Sequence, residues 1–145
     1  MVDPHRLRLL LSRLQSHLRE LELYSGLGVE AYLADPQQIH ASKYLLITAI
    51  EDALSMANHV IASEGLRAPS DYADAFRSLA EASLIERDLR DRLEKMARFR
   101  NLLVHVYAEV DDRRVHEFLR SDVADLDRFI EAILKAFPEL ESRGD

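Results

Sequence analysis

The sequence has no cysteine, and its 145 residues include only 4 glycines and 4 prolines. Without cysteine there is no disulfide framework, no thiolate zinc site and no thiol nucleophile, and a reducing cytoplasm is the expected compartment. No apolar block approaches the roughly 20 residues that a membrane span needs. The opening Met1-Val2-Asp3-Pro4-His5-Arg6 lacks the apolar block and small-residue cleavage site of a secretory signal, so neither export nor membrane insertion is expected. An excess of basic charge is also missing. The formal net charge of -7 disfavours a protein that clamps long nucleic acid by broad electrostatic attraction, so any nucleic acid must be held locally.

What is present is the composition of a helical globular protein, 48% apolar and 31% charged, at a length that suits one domain spanning residues 1–145. Asp3-Pro4 reads as an N-cap with proline at the first helical position, and Leu7, Leu10, Leu11, Leu14, Leu18 and Leu21 then repeat at helical spacing to about Tyr24. Gly26 and Gly28 interrupt, a short helical turn through Val29 to Ala34 follows, and Asp35-Pro36 repeats the start signal. A long second helix carries Ile39, Leu46, Ile47, Ile50, Leu54, Ala57, Val60 and Ile61 and stops at Gly65. Ser70-Asp71 caps a third helix from Tyr72 to about Ala82, and a fourth carries Leu89, Leu93, Met96 and Leu103. One last helix is expected from Asp111-Asp112 to Phe137, with Pro138 ending it. No alternating strand pattern, repeat or linker appears, so the fold class is all-α, an antiparallel bundle of four or five helices.

The chemically loaded segment is Arg100-Asn101-Leu102-Leu103-Val104-His105-Val106-Tyr107. On an unbroken helix Arg100 and Tyr107 share a face, as do Asn101 and His105, while Arg100 and His105 lie about 140° apart, so they do not converge without a bend or a second subunit. The residue types suit RNA cleavage by attack of the ribose 2′-hydroxyl on the adjoining phosphorus. Histidine titrates near neutrality and can take or return that proton. Arginine stays charged and grips phosphate through two parallel hydrogen bonds. DNA lacks the attacking hydroxyl. The same residue types at a helix end also serve capping, ion pairing and half-buried packing, and spacing alone leaves both readings open. The other basic residues from Arg87 to Arg98 interleave with Glu86, Asp88, Asp91 and Glu94, the pattern of a solvated face laced with ion pairs.

The segment resembles the signature of the HepT branch of the HEPN ribonucleases: arginine, four residues, histidine, one residue, tyrosine, with asparagine directly after the arginine. Tyr44 to Ala53, Ala57 to Ala62, Tyr72 to Phe76 and Met96 to Phe99 are similar to the family's flanking segments. The resemblance implies a HEPN fold, a homodimer, and a metal-independent ribonuclease toxin whose cleft gathers Arg100 and His105 from both subunits; Asn101 is the expected support beside them. It implies a partner as well, an MntA-like nucleotidyltransferase antitoxin that transfers AMP to Tyr107. Phosphate placed there would neutralise Arg100; the same tyrosine would also suit packing at a dimer seam.

The resemblance also places an acidic residue of the long second helix near the cleft. Asp52 is the expected support, orienting His105 or pairing with Arg100, with Glu51 behind it. Thr48, Asp52, Ser55 and His59 otherwise read as a solvent-facing polar stripe. His5, His17, His40 and His116 are scattered without metal-site spacing, and no glycine-rich phosphate loop is present, so neither a metal nor a cofactor is expected. The alternative is a non-catalytic helical module that binds nucleotide or a nucleotidyltransferase partner.

Overall fold

The computed structural model describes residues 1–141. They form seven α-helices and two short 3-10 turns, with no strand among the described residues: α1 (Pro4–Ser25), α2 (Val29–Leu33), α3 (Pro36–Ser63), α4 (Tyr72–Glu81), α5 (Arg87–His105), α6 (Asp112–Ser121) and α7 (Ala124–Ala136). The 3-10 turns cover Tyr107–Glu109 and Pro138–Leu140.

The start signals act as their chemistry requires. The Asp3 carboxylate accepts from the backbone N–H of His5 and Arg6, and Asp35 accepts from that of Gln37, each just before a proline that needs no partner for its missing N–H. Gly65 ends α3 in the left-handed region (φ 64°), and the Leu66 N–H reaches back to the Ile61 carbonyl, closing the helix end. The same closure ends α4, where the Leu84 N–H reaches the Leu79 carbonyl, but there the left-handed position is Ser83 (φ 62°).

The leucine stripe of α1 lies against α3, and α4 and α5 pack on each other and on α3, so α3 runs through the middle of the molecule. Its buried face includes Leu46, Ala49, Ile50, Ala53, Met56, Ala57 and Val60. By length and composition α3 is apolar enough to cross a membrane, contrary to the expectation that no stretch approaches that length. Here its apolar face is covered by protein. Buried Phe76 and Phe129 meet edge to face at 5.8 Å, each fully buried aromatic adding about 1.5–3 kcal/mol of apolar burial.

The expected single last helix is two. After Ser121 the Val123 N–H bonds the Phe118 carbonyl five residues back, and Asp125 and Leu126 then bond three residues back. The chain changes course there because α6 packs on α1 and α2 whereas α7 packs on α5 and α3. The apolar spacing continues through the joint, so period alone does not reveal it.

Candidate active site

The apolar positions Leu89, Leu93, Met96, Ala97, Phe99 and Leu103 bury one side of α5, which leaves Asn101 and His105 on its outer side. The helix closes with the Val106 N–H on the Leu102 carbonyl, and Val106 itself leaves helical geometry (φ -131°, ψ 40°). Arg100 is therefore on the last full turns, His105 is the last helical residue and Tyr107 lies beyond it, in the 3-10 turn.

Arg100 is nearly enclosed, with its side chain 13% exposed. One terminal nitrogen donates to Glu51 Oε1 at 2.9 Å and the other to Asn101 Oδ1 at 3.1 Å. The guanidinium lies 4.9 Å from the centre of the Tyr72 ring, a cation–π contact that also covers it. Its Nε–H is buried without a hydrogen-bond partner among the described residues. His105, by contrast, is exposed at the helix end.

Tyr107 belongs to a different cluster. Its phenol oxygen is 2.8 Å from His40 Nδ1, and the two rings stack at 5.9 Å with planes 13° apart. Lys43 Nζ sits 4.5 Å from the Tyr107 ring centre, donates to the Tyr107 carbonyl at 3.4 Å and pairs with Asp112 at 2.9 Å. Burial, with the nearby Asp112 carboxylate adding to it, pushes the Tyr107 phenol above the usual tyrosine range.

Two sequence expectations are corrected. Because α5 breaks at Val106, Tyr107 does not continue the face of Arg100; the two meet α3 at Glu51 and His40, eleven residues and about 16 Å apart along its axis. Asp52 supports neither Arg100 nor His105. It is buried against α1, with Oδ2 2.6 Å from His17 Nδ1 and Oδ1 3.5 Å from Arg13, and burial raises its carboxyl while His17 and then Arg13 oppose the rise. Successive residues of a helix point about 100° apart, so Glu51 faces α5 where Asp52 faces α1. His40, Lys43 and Tyr72 carry no local signal of their roles, since their partners are distant in the chain. The interleaved charges of α5 form the expected ion pairs, Arg90 with Asp91 and Glu94, Arg92 with Asp88 and Asp125, and Arg98 with Glu94, but Glu94 is not on a solvated face: it is buried and also pairs with Arg77 of α4.

A cleft of about 950 Å³ lies between the α4–α5 turn and α7 and is lined by none of these motif residues. A smaller one of about 310 Å³ is bordered by Asn58, Ser70, Asp71 and Tyr72, beside the ring that covers Arg100.

The helical fold that carries Arg100 and His105 at the end of its fifth helix is that of the HEPN class, as its superposition on a solved HEPN toxin shows. The solved structure of the tri-AMPylated Shewanella oneidensis HEPN toxin in complex with MNT antitoxin superposes with a TM-score of 0.82, at 26% identity over 94% of this chain and 99% of that one. A cytosolic protein of unknown function from Bacillus subtilis, YutE, shares the fold with a TM-score of 0.81, at 21% identity over 97% of this chain and 93% of its own. The model of the HepT-like ribonuclease family matches residues 14–133, and the chain belongs to that family. The mRNA nuclease HepT of Shewanella oneidensis is 34% identical over 83 residues, which are 57% of this chain and 62% of the relative.

Proposed function

We propose that this protein is the endoribonuclease toxin of a toxin–antitoxin pair. The observation that carries the proposal is the state of Arg100: a guanidinium at a helix end, nearly enclosed, with a buried Nε–H that has no hydrogen-bond partner among the described residues. A buried unpaired donor costs about 1–3 kcal/mol, and a phosphate oxygen would satisfy it while matching the fork of the guanidinium. His105 is exposed and is the general acid or base for the 2′-hydroxyl or the leaving oxygen, Arg100 stabilises the charge that builds on phosphate, and Asn101 fixes the guanidinium. Glu51 replaces Asp52 as the supporting carboxylate. Cleavage by the neighbouring 2′-hydroxyl requires proton transfer and charge stabilisation, which these side chains supply without a metal.

Within one chain Arg100 and His105 lie about 140° apart round α5, so the working cleft is assembled by two copies of the one domain. A cytoplasmic nucleotidyltransferase antitoxin silences it by adding AMP to Tyr107, two residues past His105. The relative solved as a tri-AMPylated toxin with MNT antitoxin supports this regulation, and the relative named an mRNA nuclease supports the activity. Since Tyr107 and Arg100 meet α3 about 16 Å apart, AMP blocks the approach to His105 more directly than it neutralises Arg100 of the same chain.

The test is cleavage of RNA by unmodified protein in EDTA. The parent cuts; Arg100→Ala and His105→Ala, each folded and of parental mass in solution, lose at least about a hundredfold. If the two variants are inactive alone but regain cleavage when mixed and re-annealed, the cleft is shared between subunits. A folded parent that leaves RNA intact, or variants that cut at its rate, would overturn the catalytic assignment in favour of a docking module.

A further inference from the structure

The Tyr107 hydroxyl is held in a way that simple packing does not require. It lies 2.8 Å from Nδ1 of His40, 67 residues earlier in the chain. With the ring hydrogen on Nε2, the phenol O–H donates to Nδ1. No other titratable group forms a hydrogen bond to the phenol oxygen among the described residues. Lys43 is excluded as a base by its own engagements: its side chain is 4% exposed, and its ammonium pairs with Asp112, donates to the Tyr107 carbonyl and lies over the ring, which fixes the phenol towards His40. His40 is exposed, so a proton it accepts can pass to solvent.

We propose that His40 is the general base for nucleotidyl transfer onto Tyr107, so that the modified protein supplies part of the chemistry of its own silencing. The inference rests on the reading of Tyr107 as the residue modified. In the step, the phenol O–H breaks and its proton moves to Nδ1 of His40. The phenol oxygen forms a bond to the α-phosphorus of a nucleoside triphosphate carried by the nucleotidyltransferase partner. The bond from that phosphorus to the bridging oxygen breaks, and pyrophosphate leaves with the electron pair. A base is needed because burial and Asp112 both disfavour the free phenolate. The stacking of the two rings holds donor and acceptor aligned before the nucleotide arrives, and a positioned base is worth about 10² to 10⁴ in rate.

The experiment follows AMP incorporation at Tyr107 by mass spectrometry, with the nucleotidyltransferase partner, ATP and Mg²⁺, comparing the parent, His40→Gln, His40→Ala and Tyr107→Phe. Folding of each is checked by circular dichroism. Both His40 variants are expected to lose at least about a hundredfold in initial rate, and free imidazole is expected to restore part of the rate to His40→Ala only. Equal rates in parent and His40→Gln would overturn the proposal. So would a slow His40→Ala that imidazole does not help, which would make His40 a positioning residue. A parent that is never modified at Tyr107 overturns the regulatory reading and this inference with it. A parent that is modified but cleaves no RNA overturns the nuclease alone, leaving His40 as the base.

Discussion

Arg100 is the residue on which sequence and structure place the same weight for different reasons. Its spacing to His105 singles it out in the sequence; in the fold, what matters is that three groups from three segments, Glu51, Asn101 and Tyr72, enclose it. Glu51 is 44% exposed and balances the guanidinium charge in the resting protein, so an incoming phosphate must share or displace that carboxylate. Glu51→Gln keeps an acceptor for the guanidinium and removes the competing charge. Binding of a 2′-O-methyl RNA oligonucleotide, read by fluorescence anisotropy, is expected to tighten by up to about fivefold, the scale of a partly exposed ion pair. Unchanged affinity would mean that phosphate does not compete for Arg100.

The helix ends show how local chemistry becomes architecture. α3 and α4 both end on a left-handed residue that lets the chain reverse, but α3 uses Gly65 and α4 uses Ser83. A Cβ in that conformation costs about 1–2 kcal/mol, and glycine avoids the cost while losing some chain entropy on folding. Ser83→Gly is therefore expected to raise stability by about 1 kcal/mol in urea denaturation and Gly65→Ala to lower it by about as much. Among the described residues, no atom beyond Gly65 and its two chain neighbours lies within 4 Å of the position a Cβ would take there, so the second effect is one of backbone conformation and not of crowding. An unchanged midpoint for both variants would show that the helix ends relax freely. The break between α5 and the Tyr107 turn matters most for function, since it sends Tyr107 to His40 and away from the face of Arg100.

At the scale of the whole molecule, acid is the informative stress. The sequence carries 26 acidic residues against 19 lysines and arginines, so acidification turns a net negative protein strongly positive. Asp74 is central to the response. Arg67 holds it at 2.7 and 2.9 Å, Ser70 donates to it twice, and these bonds, the Arg67 ones foremost, hold its carboxyl well below the usual range. A depressed carboxyl contributes stability above its unfolded pKa of about 4 and loses it as pH falls through the native value. Asp74→Asn should therefore melt below the parent at pH 7, with the gap closing as pH is lowered from about 4 towards 2. A gap that stays constant across that range would rule out Asp74 as a source of the acid sensitivity.

The sequence by itself determined the helices whose signals are local: the Asp-Pro starts of α1 and α3, the glycine that ends α3 and the apolar spacing that buries α5. It also marked Arg100, Asn101, His105 and Tyr107, because they sit within eight residues of one another. Tertiary structure decided everything that depends on which way a helix is turned and what it meets. It set Glu51 and not Asp52 on Arg100, since neighbouring residues of α3 face different helices. It brought His40 and Lys43 to Tyr107 across more than sixty residues, and it bent the last apolar pattern into α6 and α7 as each half found its own packing surface. Spacing along a chain fixes periodicity, whereas the rotation of one helix about its axis relative to another is fixed only when their surfaces pack.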